Sequence, residues 1–293
     1  MKKTCFKLFL VDENNQPISC EWFDNCEDFH EDFAKVKRND KCNFINQEGN
    51  LLSDKWFDDC GGFREGFAWV EYNGKYNFIN KDGNVISSQW FDDCVYFHEG
   101  FAAVALNGKW NFINKDGKLI SEQWFDGCTY FHEGFATVEL NGKYNFINQE
   151  GSFLSDQWFD YCYNFQEGFA CIILNLKYNF INQDVKFLSD SWFDSCGEFH
   201  EGLAVVVLNN KYNFINQEGK VISNQWFDSC SDSREGFAWV KLNGKYNFIN
   251  QDGNLLSDQW FDACASFHEG FAWVELNGTS YNLDANGNLT ETT

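Results

Sequence analysis

Apolar and polar positions alternate in short runs along this chain, and Asn-Gly, Asp-Gly and Glu-Gly pairs separate the runs. From Phe101, "FAAVAL" has the length and composition of a strand. Asn107-Gly108 follows, and such a pair between two apolar runs predicts a type I′ hairpin, because both central residues of that turn need positive φ. "KWNFIN" is the returning strand, "KDG" a tight reversal with its glycine left-handed, and "KLIS" the start of a third strand. "EQWFDGCTYFHEG" reads as an irregular connection into the next run. The pattern predicts an all-β unit: a three-stranded antiparallel meander followed by a long packed loop.

The unit recurs. Trp22-Phe23-Asp24 returns at Trp56, Trp90, Trp124, Trp158, Trp192, Trp226 and Trp260, always 34 residues on, with a cysteine four positions after each tryptophan. Eight copies without insertion or deletion make the array one domain, 1–293, with repeat units over 18–276. The ends, 1–17 and 277–293, read as half-copies that cap the array. Leu10-Val11-Asp12 falls in phase with Phe44-Ile45-Asn46, and Asn282-Leu283-Asp284 with Phe248-Ile249-Asn250. One copy buries too little apolar surface to offset the entropy of ordering it, so neighbours must stack. The Trp-Phe pair of each loop is expected to be the wedge between consecutive meanders. Two arrangements satisfy this demand, an open superhelix (solenoid) of hairpins or a closed eight-bladed β-propeller. Blades usually take about 40 residues, and both half-copies supply the same strands, so the open form is favoured.

Within each copy stand a lysine, an aromatic-small pair, Phe-Ile-Asn, a Lys/Gln-x-Gly turn and a Phe-x-Glu-Gly-x-Ala-x-Val strand. This resembles the WG repeat family, whose copies usually read Gly-Lys-Trp-Gly-Phe-Ile-Asp. The departure is that Trp-Gly is here Tyr76-Asn77, Trp110-Asn111 and Tyr144-Asn145, with Cys42-Asn43 in the first copy. The resemblance implies a repeat scaffold for binding and brings no enzymatic residues.

Composition sharpens the picture. The 33 Phe, 12 Trp and 11 Tyr are those of a folded chain. Against 44 Asp and Glu stand 22 Lys and Arg, a net charge of −22 that argues against a nucleic-acid partner. The start "MKKTCFKLFLVDENNQ" lacks a signal-peptide cleavage site, and no apolar run is long enough for membrane insertion, so a cytoplasmic location is expected.

Cys-x-x-x-His recurs as Cys26/His30, Cys94/His98, Cys128/His132, Cys196/His200 and Cys264/His268, but without the second Cys or His pair of a closed zinc site. Elsewhere Arg64, Gln166 or Arg234 replaces the histidine, so a half-exposed polar side chain is the reading, with no metal and no cofactor. The cysteine ladder reads as small buried hydrophobes, since equivalent atoms of successive units should lie too far apart for disulfides. Asn80-Lys81-Asp82-Gly83 is a turn, lacking the ligand set of a calcium loop. No catalytic set stands out from the periodic background.

Positions that vary between copies are better candidates. Two residues into each Phe-Ala strand stand Lys35, Trp69, Ala103, Thr137, Cys171, Val205, Trp239 and Trp273. Trp69, Trp239 and Trp273 are candidates for an aromatic face that binds sugar rings. The fifth copy departs furthest: Leu176 replaces the hairpin glycine, Val185 replaces the turn glycine, and Ile173 stands where most copies are Glu, Ala or Lys. With Cys171 and with Val207 of the next copy, these residues are expected to form an apolar patch for self-association or a protein partner. The expected function is a non-enzymatic scaffold for protein–protein interaction. The alternative is a carbohydrate or cell-envelope binding module.

Overall fold

The structure, a computed structural model, describes residues 22–292. The N-terminal half-copy at 1–17 lies outside the described residues. The described chain is all-β, and no helix is long and apolar enough to cross a membrane. Among the described residues, eight antiparallel sheets follow one another, seven of three strands and the last of four. The chain divides into two compact units, one running to Gly142 with Ile147–Ser152, the other comprising Lys143–Phe146 and everything from Phe153.

The hairpin prediction holds in detail. Phe101–Leu106 pairs with Lys109–Asn114, from Phe101 opposite Asn114 to Leu106 opposite Lys109. Asn107 and Gly108 between them have φ of 51° and 75°, the two positive values of a type I′ turn. Asn175-Leu176 takes the same conformation (51° and 62°) without a glycine.

The third strand is not where the pattern placed it. "KLIS" contributes a single bridge, Ile113 to Leu119. The outer strand instead comes from inside the segment expected to be irregular: Asp93–Cys94 pairs with Ala105 and Val104. Among the described residues, only the last sheet adds a strand after its hairpin, Leu289–Glu291. In the earlier copies the segment after Phe-Ile-Asn is drawn off by the buried asparagine. Asn77 is fully buried, donates from Nδ2 to the carbonyls of Ser87 and Gln89 at 2.8 and 2.9 Å, and accepts the Phe78 N–H at 2.8 Å. Where the repeat pattern that this chain resembles has glycine, the chain uses an amide to hold the loop.

Cores lie between consecutive sheets, as between the second and third copies and between the seventh and eighth. Phe97 of the third copy stacks on Phe67 of the second (centroids 4.4 Å apart) and meets the edge of Phe78 (5.0 Å). Phe131 and Phe267 repeat the arrangement. Phe91, of the Trp-Phe-Asp stretch, is fully buried, whereas Trp90 is half-buried against the core on the preceding side. The wedge is therefore phenylalanine, and the indole closes the rim. A benzyl group has no polar atom and tolerates complete burial, whereas the indole N–H needs a partner or water.

Two carboxylates fasten this packing. Asp92 accepts the Asn107 N–H of its own hairpin at 2.6 Å and pairs with Lys75 of the preceding copy. Glu99 accepts the N–H groups of Glu133 and Gly134, one copy on, at 2.9 and 2.8 Å. The ladder continues from Glu201 to Glu235 and Gly236, and from Glu235 to Glu269 and Gly270.

Candidate functional site

The recurrent polar groups are engaged in architecture. Lys75 and the Asn107 N–H hold the Asp92 carboxyl below the usual carboxylate range, and the Gly270 N–H does the same for Glu235. Burial pushes the thiols of Cys94, Cys128 and Cys230 up to about 12, so they are protonated at neutral pH and pack as small hydrophobes. Among the described residues, no three His, Cys, Asp or Glu side chains converge as metal ligands. His98 and His132 are half-buried, and Nδ1 of each lacks a hydrogen-bond partner.

One pair of cysteines departs from the expectation: Cys42 and Cys60 form a disulfide, with Cα atoms 6.3 Å apart. The estimate from equivalent atoms did not apply, because Cys42 is not a ladder cysteine. It occupies the aromatic position of the first copy, bridged to Phe57 of the second, three residues before Cys60.

The proposed aromatic face divides. Trp69 and Trp239 are half-buried and join the cores between their own and the following sheet. Trp273, on the last sheet, is exposed beside exposed Phe271. Cys171 is buried in the core between the fifth and sixth copies, with Phe180, Phe199 and Cys196. Leu176 and Val185 are exposed but sit at opposite ends of the strand Lys177–Asn182, roughly 20 Å apart. Ile173 lies between Tyr161 and Tyr178, near the Leu176 end, and Val207 is opposite Ser195 and Tyr212. Leu176 and Ile173 thus share a region that also exposes Tyr161 and Tyr163, and Val185 belongs elsewhere with exposed Phe187.

A concavity that sequence reasoning missed opens between the third and fourth copies. Val95, Tyr96, Ala103, Trp110, Thr129 and Tyr130 are among the residues lining a cavity of about 400 Å³. A second, of about 340 Å³, adjoins it through Val95, Tyr96 and Tyr130 and adds Arg64 and His98. Its only sequence signal is Ala103, small where Trp69 is large.

The WG containing repeat matches at 23–42, 44–76, 78–110, 112–144, 146–178, 180–212, 214–246 and 248–279. No curated protein matches significantly. Among solved structures, Kluyveromyces lactis Hsv2p is similar at 10% identity and a TM-score of 0.36, covering 79% of this chain and 94% of that one. Apo AztD from Citrobacter koseri is similar at 11% identity and a TM-score of 0.35, covering 88% and 93%. Likeness at that level carries no argument about function. With matches that span 23–279 and recur at the 34-residue spacing of the observed sheets, the chain belongs to the WG containing repeat family.

Proposed function

We propose that this chain is a non-enzymatic binding scaffold that engages a protein partner, or a second copy of itself, through apolar side chains exposed on the fifth copy. The observation that carries this reading is the hairpin tip at Leu176, 85% exposed at a position that is glycine in most copies. Exposed Tyr161 is paired with Ile173, and together they extend the same apolar surface. Exposed contiguous apolar surface of this kind marks interaction sites in folded chains. Repeat arrays suit the role, because a rigid framework presents copy-specific side chains at fixed spacings. The test is the double substitution Ile173→Glu with Leu176→Glu, followed by sedimentation and by pull-down with mass spectrometry. Loss of self-association or of a specific partner is expected, and unchanged behaviour in both assays refutes the reading.

Carbohydrate binding stands as the second reading, supported by exposed Trp273 beside Phe271 on the last sheet. It requires glycan-array binding that disappears in Trp273→Ala. A cytoplasmic location entails that Cys42 and Cys60 are reduced in cells, whereas the disulfide suits an oxidising compartment. Trapping of thiols by alkylation at lysis distinguishes the two.

A further inference from the structure

We propose that the cleft between the third and fourth copies binds a small planar aromatic acid. Its ring enters the cavity beside Ala103, and its anionic group meets Arg64 and His98 at the mouth. This goes beyond the fifth-copy interaction and does not depend on it.

The argument begins with a size exchange between neighbouring backbones. Trp69 faces Gly61, whose N–H donates to the Trp69 carbonyl at 3.0 Å, and a Cβ on Gly61 would stand 2.2 Å from the indole Nε1. The same pairing sets Trp239 against Ser231, Trp273 against Ala265 and Cys171 against Tyr163. In each pair one partner is an aromatic residue and the other is small. At Val95 and Ala103 the same hydrogen bond (2.9 Å) joins two small residues, as it does at Thr129 and Thr137 (2.9 Å), and beside the first of these pairs lies the cavity. The space is left open.

The second copy shows what would fill it. The Trp69 ring lies 5.8 Å from that of Tyr76 and 6.5 Å from that of Tyr96. One copy on, the corresponding residues are Trp110 and Tyr130, and both line the cavity. The walls of an indole site are thus built, and the side chain that would occupy it is replaced by a methyl group. At about 400 Å³ the cavity falls within the roughly 300–1,000 Å³ of small-ligand pockets, which are mostly apolar with a few polar groups that orient the ligand.

Those polar groups are at the mouth. Arg64 is exposed, and among the described residues no carboxylate forms a salt bridge with it. The His98 ring lies 5.0 Å from that of Tyr130, tilted by 49°, and lines the second cavity together with Arg64. The nearby carboxylates are occupied: Glu65 accepts the Gly100 N–H and pairs with Lys115, and Glu99 accepts the next turn. On a chain of net charge −22, an unpaired guanidinium beside an apolar cavity selects for an anionic group on the ligand.

The test uses the full chain, with indole-3-acetate as probe and indole-3-acetamide as its neutral counterpart, followed by calorimetry. Saturable binding at one site per chain is expected, with the acid about tenfold tighter than the amide, as for one charge-assisted hydrogen bond. Arg64→Met should abolish that preference. Val95→Gly with Ala103→Trp rebuilds the second-copy arrangement and should abolish binding of both probes. Should circular dichroism show that variant misfolded, Ala103→Leu takes its place. Absence of saturable binding at millimolar probe, equal binding of acid and amide, or full binding by the filled variant overturns the proposal, whatever the outcome for Ile173 and Leu176.

Discussion

At the residue scale, the departures from the family pattern explain themselves by where their atoms go. Asn77 occupies the glycine of the family signature because its amide satisfies two loop carbonyls and one N–H inside the core. Asn77→Ala leaves those groups unpaired, and a loss of about 2–4 kcal/mol follows from the cost of buried polar groups without partners. Urea unfolding, with hydrogen exchange around 77–89, measures it. Val185 is the opposite case. It holds φ of 66° where Gly219 has 82°, and its N–H still donates to the Asn182 carbonyl at 3.1 Å, so the turn is kept rather than rebuilt. At Gly219 a Cβ would stand 1.9 Å from the Leu188 carbonyl oxygen. Val185→Gly should therefore stabilise the fifth copy by about 1–2 kcal/mol, read as a higher urea midpoint. The sequence showed that Val185 was out of place, and the backbone shows that the turn keeps its left-handed conformation and its hydrogen bond around it.

At the scale of the element, the Glu-Gly turn is a connector between copies. Glu201 and Glu235 hold φ of 52° and 53°, a conformation that favours Gly or Asn, yet every copy has Glu there. The reason lies one copy on, where the carboxylate receives two backbone N–H groups. Those N–H groups lower the folded-state pKa of Glu201 and Glu235 below the unfolded value of about 4.3. A depressed pKa contributes stability that is complete above the unfolded pKa and is lost as pH falls through the folded one. Urea midpoints should fall as pH drops below about 4.3, and the double variant Glu201→Gln, Glu235→Gln should show a flatter dependence. The aromatic sandwich also identifies a weak element. Between the sixth and seventh copies, Leu203 and Ser233 stand in the places of Phe67 and Phe97, and Ser233 donates to Glu201 instead of packing a ring. Amide protection should be lower in Leu203–Leu208 than in Phe101–Leu106. Equal protection would contradict the assigned role of the phenylalanines.

At the scale of the whole molecule, the cores of the first and second, second and third, fifth and sixth, sixth and seventh, and seventh and eighth copies are shared between neighbours. An excised peptide of residues 90–123 loses Phe67, Phe78 and Phe131, the rings that pack against Phe97, Phe101 and Phe112, and should show no cooperative thermal transition by circular dichroism. The Cys42–Cys60 link joins the first copy to the second across a separation of 18 residues, for which loop-closure entropy gives about 3 kcal/mol. Cys42→Ser should lower protection in those two copies and leave the distant ones unchanged, which hydrogen exchange can resolve. Periodicity and hairpin turns were legible in the sequence, because a 34-residue repeat and Asn-Gly pairs act through local geometry. The outer strand at Asp93–Cys94, the rim position of Trp90 and the Cys42–Cys60 pairing were not, because each depends on which copy faces which. The cavity beside Ala103 was equally hidden. The alanine stood in plain view among the variable positions, but a missing side chain becomes a space only when Trp110 and Tyr130 surround it. By itself the sequence determined the hairpin of each unit, its repetition and its turns, since these follow from backbone preferences within a few residues. Tertiary structure alone decided what those units enclose, since burial, pairing and vacant volume belong to surfaces that meet only after the chain has folded.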